Sequence, residues 1–377
     1  MGGGSGGHVT PVVAVLKEIR AKQPKADMRF WVDRKFAPQA RTIMASFDNT
    51  IPVHTVTAGK LRRYYHLSLL QHFLWPSLML KNLGDGFLVA VGFIQSVFKL
   101  LIWRPDVVFT KGGYVCLPVG MAARVLNIPL VIHDSDAHPG LTNRILARWA
   151  TAIGTGAPLE YYHYPKSIST YTGIPINVDF KTYTKPEQWD AKRKWGINPD
   201  KPLVVITGGG LGARRLNNTV VSISKRLQKQ ASVILLSGVG QYEELKAQLP
   251  KNSDHFQLHA FTNDMATLLG AADIVVTRAG ATTILELAAL AKPTILVPNA
   301  ALTGGHQLKN AAVYENAKAA VVLVEDAMVD NPDMLLKAVN QLLDSPKETQ
   351  AMAKRFVAFS KPHAARDMAR LILAARK

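Results

Sequence analysis

The chain is 377 residues long and 48% hydrophobic, with 45 Lys and Arg against 27 Asp and Glu, a formal net charge of +18 and one cysteine, Cys116. That length suits two domains of ordinary size, and so high a hydrophobic share excludes a chain disordered throughout. A single cysteine excludes an internal disulfide framework or a cysteine metal site and fits a reducing cytoplasm. The basic excess suits an anionic partner, such as phosphate ligands or anionic lipid headgroups. It is spread along the chain without a long Lys/Arg block or an aromatic-studded signature, so no nucleic-acid partner is expected.

The chain opens on Met1 and the glycine run Gly2-Gly3-Gly4-Ser5-Gly6-Gly7-His8, with no signal-peptide pattern. A helix is expected over Val9–Lys22, with Pro11 in its first turn. A glycine loop before a helix is a phosphate-loop layout, which a buried strand normally precedes. None is encoded here, and the reading favoured is a gene start placed too late rather than a sheet without its central strand. Met28–Val32 and Ile51–Thr55 read as strands and Ala37–Ala45 as a helix. Tyr64–Leu80 holds no Asp, Glu, Lys or Arg but contains Pro76, which makes it a poor spanning helix. Phe87–Trp103 reads as a helix whose apolar surface is broader than a core-facing stripe needs. It is either well buried, or an exposed patch ringed by Lys60, Arg62, Arg63, Lys81 and Lys99 and suited to an anionic bilayer surface.

Asp106–Phe109 reads as a strand ending in the second glycine turn, Lys111-Gly112-Gly113-Tyr114-Val115, before a helix over Pro118–Leu126. The strand Leu130–His133 ends in Asp134-Ser135-Asp136, and a helix over Gly140–Ala150 and a strand over Ala152–Gly154 follow. The charged, proline-bearing stretch Lys181–Asp200 reads as a linker. Alternation then restarts: strand Leu203–Thr207, the third glycine loop Gly208 to Arg214, helix Leu216–Gln228, strand Ser232–Leu236, helix Gln241–Gln248, strand Phe256–Ala260 and helix Met265–Ala271. Strands over Thr294–Val297 and Ala320–Val324 flank a helix over Gln307–Asn316. Three helices, Pro332–Leu343, Lys347–Phe359 and His363–Ala375, finish the chain.

The apolar run Ile274–Val276, the turn Thr277-Arg278-Ala279-Gly280 and the helix that follows organise the second half. N–H groups at a helix start, beside the positive end of its dipole, bind phosphate. Glu286, one turn in, could accept hydrogen bonds from ribose hydroxyls. Thr283 and Glu286 could equally form only a capping box. Two alternating halves imply an α/β protein of two facing Rossmann-like domains. These are residues 1–177, with the closing helix over 361–377 packing back on them, and residues 178–360; the cleft between them is the default site.

The residues then carry a pattern. Gly3 to His8, Gly112-Gly113-Tyr114-Val115, Gly140-Leu141-Thr142-Asn143, Gly209 to Arg214, Phe261-Thr262-Asn263-Asp264-Met265, Arg278 to Glu286, and His306-Gln307 with Asn310 stand in order over nearly the whole chain. Together they resemble the peripheral N-acetylglucosaminyltransferases of peptidoglycan synthesis, the MurG family, of GT-B architecture. The resemblance implies an inverting transfer of N-acetylglucosamine from UDP-N-acetylglucosamine to the muramoyl 4-hydroxyl of lipid I, giving lipid II, at the cytoplasmic face of the cell membrane. It implies a peripheral enzyme with no cofactor and no metal ion.

By the same resemblance, Ala281, Thr282 and Thr283 present helix N–H groups to the UDP diphosphate and Glu286 meets the ribose. Thr262 reads uracil through its backbone, with Phe261 packing nearby, and Gln307 contacts the sugar hydroxyls. Ser5, Gly6, Gly7, Asp136 and Gly210 join the donor side. Gly4, Gly112, Gly113 and Tyr114 join the acceptor side. His8 is a candidate general base or a structural histidine of the loop, and Asp134 and Asp136 compete for the base role.

The chain departs from the family pattern in places. His133-Asp134-Ser135-Asp136 stands for His-Glu-Gln-Asn, so Asp136 replaces an asparagine near the donor sugar. Gly173-Ile174-Pro175-Ile176-Asn177 lacks the arginine of Gly-Asn-Pro-Val-Arg, and Gly210-Leu211 replaces Ser-Gln. Arg214 or Arg215 could supply the missing charge. These changes leave two alternatives: a related UDP-sugar transferase with another lipid acceptor or sugar, and a non-catalytic UDP-sugar-binding homologue.

Overall fold

The structure is a computed structural model that describes residues 1–2, 6–61, 75–209, 212–249, 251–300 and 305–376, and for residues 6–8 the backbone alone. The chain divides into two compact units, Met1–Asn177 with Lys361–Lys377, and Val178–Ser360.

The first unit runs α1 (Gly6–Lys22), β1 (Phe30–Val32), α2 (Ala37–Ala45), β2 (Val53–Thr55), α3 (Pro76–Trp103), β3 (Val108–Thr110), α4 (Cys116–Val125), β4 (Leu130–Asp134), α5 (Leu141–Leu146), β5 (Ala152–Thr155) and β6 (Ser169–Tyr171). Strands β3-β4-β5-β6 form one parallel sheet, and β1 and β2 form a separate parallel pair. The runs of β1, β4 and β5 are buried at every position, as parallel strands packed on both faces require, while β2 and β6 are only partly covered. Val15 and Ile19 of α1 share a core with Val131 and Ala152 and with Met368, Ala369 and Ile372 of the closing helix.

Helix α1 begins earlier than expected, taking Gly6 and Gly7 into its first turn, so the glycine loop is shorter than the sequence implies. Helix α3 begins at Pro76, whose fixed φ suits a first turn, and runs unbroken through Asp85 to Trp103. Asp85 does not interrupt it because that carboxylate points inward and accepts from the Lys60 N–H at 3.2 Å. Leu78, Asp85 and Gly92, seven residues apart, mark the buried face. A Cβ at Gly92 would run into the Thr57 carbonyl, so glycine permits the close approach there. Ser96 and Leu100 continue that face, and the opposite face is bare: Leu80, Leu83, Phe87, Phe98 and Ile102 are all more than half exposed, from 61% at Leu83 to 86% at Ile102. Of the two readings of this helix, the exposed one holds. Lys60, ahead of it in the chain, and Lys81, within it, are exposed. Lys99 instead turns in and donates to the Thr55 carbonyl at 2.7 Å. Arg62 and Arg63 lie outside the described residues.

The second unit runs α6 (Lys185–Lys194), β7 (Leu203–Thr207), α7 (Arg214–Leu227), β8 (Ser232–Leu236), α8 (Tyr242–Lys246), β9 (Phe256–His259), α9 (Met265–Ala271), β10 (Ile274–Thr277), α10 (Ala281–Ala289), β11 (Thr294–Leu296), α11 (His306–Asn316), β12 (Val321–Val322), α12 (Glu325–Asp330), α13 (Asp333–Asp344) and α14 (Pro346–Val357). The chain then returns to the first unit as α15 (Ala364–Ala374). Its six strands are parallel in the order β12-β11-β10-β7-β8-β9. The order reverses between β7 and β10, and that switch point opens a crevice at the carboxyl ends of these two strands.

The stretch expected to be a linker contains α6. Thr184 caps it in a reciprocal box with Glu187, and Lys192 is buried against Asp273 at 2.7 Å. Charge misled the reading here, because the helix is fastened to its unit by polar groups.

Candidate active site

The pairing of Thr207 with Thr277 brings two glycine turns out of the sheet side by side. After β7, Gly209 and Gly212 take φ of +76° and +74°, which a residue with a Cβ adopts only at a cost. The Gly209 N–H donates to Thr207 Oγ1 at 3.1 Å. Gly210 and Leu211 lie outside the described residues. After β10, Gly280 is the N-cap of α10, with extended dihedrals and no side chain to cap the helix. Ile284 is the first residue to donate back, to the Gly280 carbonyl at 3.0 Å. The N–H groups of Ala281, Thr282 and Thr283 therefore precede the helical ladder. Thr283 lies inside the helix rather than at its cap, so the capping-box reading fails. What remains is a ready anion site at the switch point.

The turn before α10 is braced. Arg278 is buried, donates to the Val297 carbonyl at 3.1 Å and pairs with Glu325 at close range. Asn310 donates to the Ala279 carbonyl at 3.1 Å, and the Asn299 N–H donates to Gln307 Oε1 at 2.8 Å. Gln307 thus holds a loop with its oxygen. Glu286 has no ion pair among the described residues, and burial alone pushes its carboxyl up to about 8. A carboxyl so placed gains from hydroxyl donors. Thr262 and Phe261 follow β9, three strand spacings from β10, or about 14 Å along the same sheet edge. Phe261 is 59% exposed, and Thr262 Oγ1 accepts from the Asp264 N–H at 3.0 Å. Arg214 and Arg215 pair with Glu244 and Asp326, each at 2.7 Å, so both charges are already countered within the unit.

In the first unit, Gly112 and Gly113 follow β3 with φ of +83° and +87°. A Cβ at Gly112 would come within 3.0 Å of Asn143 Nδ2, which itself donates to the His133 carbonyl at 3.1 Å. The Lys111 N–H donates to the Met1 carbonyl at 2.9 Å, so the N-terminal glycine run starts beside the second glycine turn. Gly4 and Ser5 lie outside the described residues, and the structure describes no side chain for His8. Tyr114 is hydrogen-bonded to Asp33, and burial first and then Asp33 raise its phenol above the ordinary range.

Asp134, at the carboxyl end of β4, is buried and accepts from Tyr164 Oη at 2.8 Å. Burial pushes its carboxyl up to about 7 against the pull of the Tyr164 hydrogen bond, and the charge of Asp136 adds to the rise. The Lys111 ammonium is buried in the same cluster and donates to Ser135 Oγ; burial brings it down to about 8, while Asp134 and Asp136 oppose the fall. The Asp136 carbonyl accepts from Tyr162 Oη at 2.7 Å. Lys111, Tyr164 and Asn310 enter the sites without having been singled out for a role from sequence. Lys111 was visible before its glycines, but only folding brings Tyr164 to Asp134 and Asn310 to Ala279. Among the described residues no cluster of His, Cys, Asp and Glu could hold a metal ion.

Residues 1–155 match the glycosyltransferase family 28 N-terminal domain and residues 203–369 its C-terminal domain. A Clostridium kluyveri protein named UDP-N-acetylglucosamine–N-acetylmuramyl-(pentapeptide) pyrophosphoryl-undecaprenol N-acetylglucosamine transferase is 33% identical over 352 residues, covering 92% of this chain and 91% of that protein. One of the same name from Lachnospira eligens is 34% identical over 342 residues, covering 90% and 89%. The crystal structure of Acinetobacter baumannii MurG aligns with a TM-score of 0.73 at 25% identity, covering 99% of this chain and 98% of that one. The chain belongs to glycosyltransferase family 28, among its two-domain enzymes of the MurG type.

Proposed function

We propose that this chain transfers N-acetylglucosamine from UDP-N-acetylglucosamine to the muramoyl 4-hydroxyl of lipid I, with inversion, giving lipid II and UDP. The observation that carries the reading is the uncapped start of α10 at the switch point of the second unit. Its N–H groups meet the diphosphate and stabilise the negative charge that develops on departing UDP, usually a large share of catalysis. Glu286 accepts from the ribose hydroxyls, and Phe261 and Thr262 take the uracil end. Gln307 offers its NH2 to the sugar.

The attacking hydroxyl must lose a proton as the new glycosidic bond forms. Asp134 suits that task, because a carboxyl at about 7 is half ionised near neutral pH and is basic enough to accept. The glycine turn at Gly112 and Gly113, beside the start of the N-terminal run, takes the acceptor diphosphate. Asp136, in place of an asparagine, motivates including other UDP-sugars in the donor screen.

The acceptor's lipid tail requires work at a membrane surface. Helix α3 is 28 residues long and contains an 18-residue window with a mean hydropathy of 1.8, enough to cross a bilayer by length and composition. Its inward face, with Asp85 and Ser96 buried against the unit, fits a helix lying on the bilayer rather than through it. Lys60, Lys81 and the net positive charge favour an anionic inner leaflet. Incubation with labelled UDP-N-acetylglucosamine and a lipid I analogue tests the reading. Transfer to the muramoyl sugar is expected, and no transfer from any UDP-sugar would overturn it.

A further inference from the structure

In the second unit one carboxylate ties together the ends of β12, β11, β10 and β7. Glu325 opens α12, just past β12, and is buried. Its Oε1 accepts from Arg278 Nη2 at close range, and its Oε2 accepts from Arg215 Nη1 at 3.4 Å. Arg278 stands in the turn after β10. Arg215 stands in the first turn of α7, past the glycine loop that follows β7. Arg278 Nη1 also donates to the carbonyl of Val297, at the end of β11. These strands lie side by side in the order β12-β11-β10-β7, so the network crosses the sheet edge from its outer strand to the switch point. At the surface Arg215 closes it on Asp326, at 2.7 Å.

Local folding does not account for this arrangement, because Glu325 lies 47 positions from Arg278 and 110 from Arg215. Stability is a poor account too. Taking a carboxylate and a guanidinium out of water costs much of what their attraction returns. What such a group supplies is fixed geometry. A carboxylate accepts from two guanidinium groups at once, one on each oxygen, and hydrogen bonds between charged partners are strong and directional. The turns it joins are the two that leave the sheet side by side after Thr207 and Thr277. Asn310 steadies the second of them from α11. Glu325 fixes that turn against the first.

We propose that Glu325 is a positioning residue of the donor site: through Arg215 and Arg278 it holds the glycine loop after β7 and the start of α10 at one spacing, so that both present N–H groups to the same diphosphate. The proposal rests on the reading of the switch point as the UDP site. Glu325 itself touches no substrate. By countering the charge of Arg278 it also leaves the attraction of the diphosphate to the aimed N–H groups rather than to a loose cation.

The test compares the full chain with Glu325→Gln, Arg215→Met and the two combined, each titrated with UDP and with uridine. An amide has one acceptor oxygen, so Glu325→Gln keeps one arginine and releases the other. The ratio of UDP affinity to uridine affinity is expected to fall about tenfold in that variant, because misaimed turns fail the diphosphate first. General loosening of the unit would weaken both ligands alike and leave the ratio unchanged. The double variant should be no weaker than Glu325→Gln, since both changes cut one connection. Without ligand, amide exchange at Gly212 and at Ile284 should quicken together. UDP binding in the parent with an unchanged ratio in Glu325→Gln would overturn the strut alone. So would a ratio that rises, because the charge of the freed arginine would then outweigh its placement, and so would additive losses in the double variant. No UDP binding in the parent would overturn the reading of the switch point and this proposal with it. Should Glu325→Gln fail to fold, Arg215→Met, at a side chain 47% exposed, carries the same comparison.

Discussion

Asn310 donates its side-chain amide to the carbonyl of Ala279 at 3.1 Å, one residue before the N-cap of α10. It is 3% exposed, so no water replaces that bond if it is lost. Gln307, three positions earlier on the same helical face, holds the next loop by accepting from the Asn299 N–H. Helix α11 therefore sets the orientation of the proposed diphosphate site from outside it. Asn310→Ala strands the Ala279 carbonyl and is expected to cost about 1–3 kcal/mol of stability. UDP affinity should fall about tenfold with it, since the N–H groups of α10 lose their aim. Thermal melts and calorimetric UDP titration measure both, and unchanged UDP affinity would show that the turn holds its shape unaided.

Glu286 links donor binding to pH. Its carboxyl stands at about 8 rather than the ordinary 4.5 because it is buried. Across that window the folded chain keeps a proton that the unfolded chain has released, so Glu286 lowers stability as pH rises. Ribose hydroxyls donate to the ionised form and draw the value down. Affinity for UDP-N-acetylglucosamine, whose diphosphate diester does not titrate here, should rise with pH and level off near 8. Glu286→Gln should bind more weakly and lose that dependence. Glu286→Ala should also weaken donor binding, with modest loss of stability. A flat affinity profile in the parent protein would remove Glu286 from the ribose.

Tyr164 tunes Asp134. Its hydroxyl donates at 2.8 Å and favours the ionised carboxylate against burial and the charge of Asp136, with Lys111 and Asn143 acting in the same sense. If Asp134 is the base, kcat/KM rises with pH through about 7, where its carboxyl titrates. Tyr164→Phe should move that limb upward by about one pH unit, leaving the plateau close to the parent's. Asp134→Asn should abolish the limb. His8→Ala should lower turnover more than UDP binding; an intact pH limb in that variant would keep the base role with Asp134.

Much of the fold was legible because parallel strands buried on both faces read as short apolar runs. The spans of β7, β8, α2 and α9 agree with the structure residue for residue. The Gly280 turn and Glu286 were legible for the same reason, since a strand, a turn and a helix are local. Three features were not. The capping box of Thr184 and Glu187 was written in the sequence, but the charge around it masked a helix. The helix expected over Phe87–Trp103 begins at Pro76 instead, with Asp85 inside it facing inward, to the Lys60 N–H. The contacts of Tyr164 with Asp134 and of Asn310 with Ala279 join residues 30 and 31 positions apart, which no local pattern predicts.

The exposed face of α3 makes the membrane reading testable apart from chemistry. Phe87 is 69% exposed, Phe98 63% and Ile102 86%, so replacing them disturbs little packing. Phe98→Glu with Ile102→Glu should leave Tm within about 2 °C of the parent. Each substitution puts a carboxylate where an acyl boundary would lie, and binding to vesicles rich in anionic lipid should fall at least about tenfold. Turnover of a water-soluble lipid I analogue should be unchanged, while turnover of acceptor embedded in vesicles should drop with the binding. Cosedimentation with vesicles at rising salt separates the two forces. The contribution of Lys60 and Lys81 weakens as salt screens it, whereas the contribution of Phe98 and Ile102 persists. Vesicle binding equal to the parent's at every salt concentration would move the membrane contact away from α3.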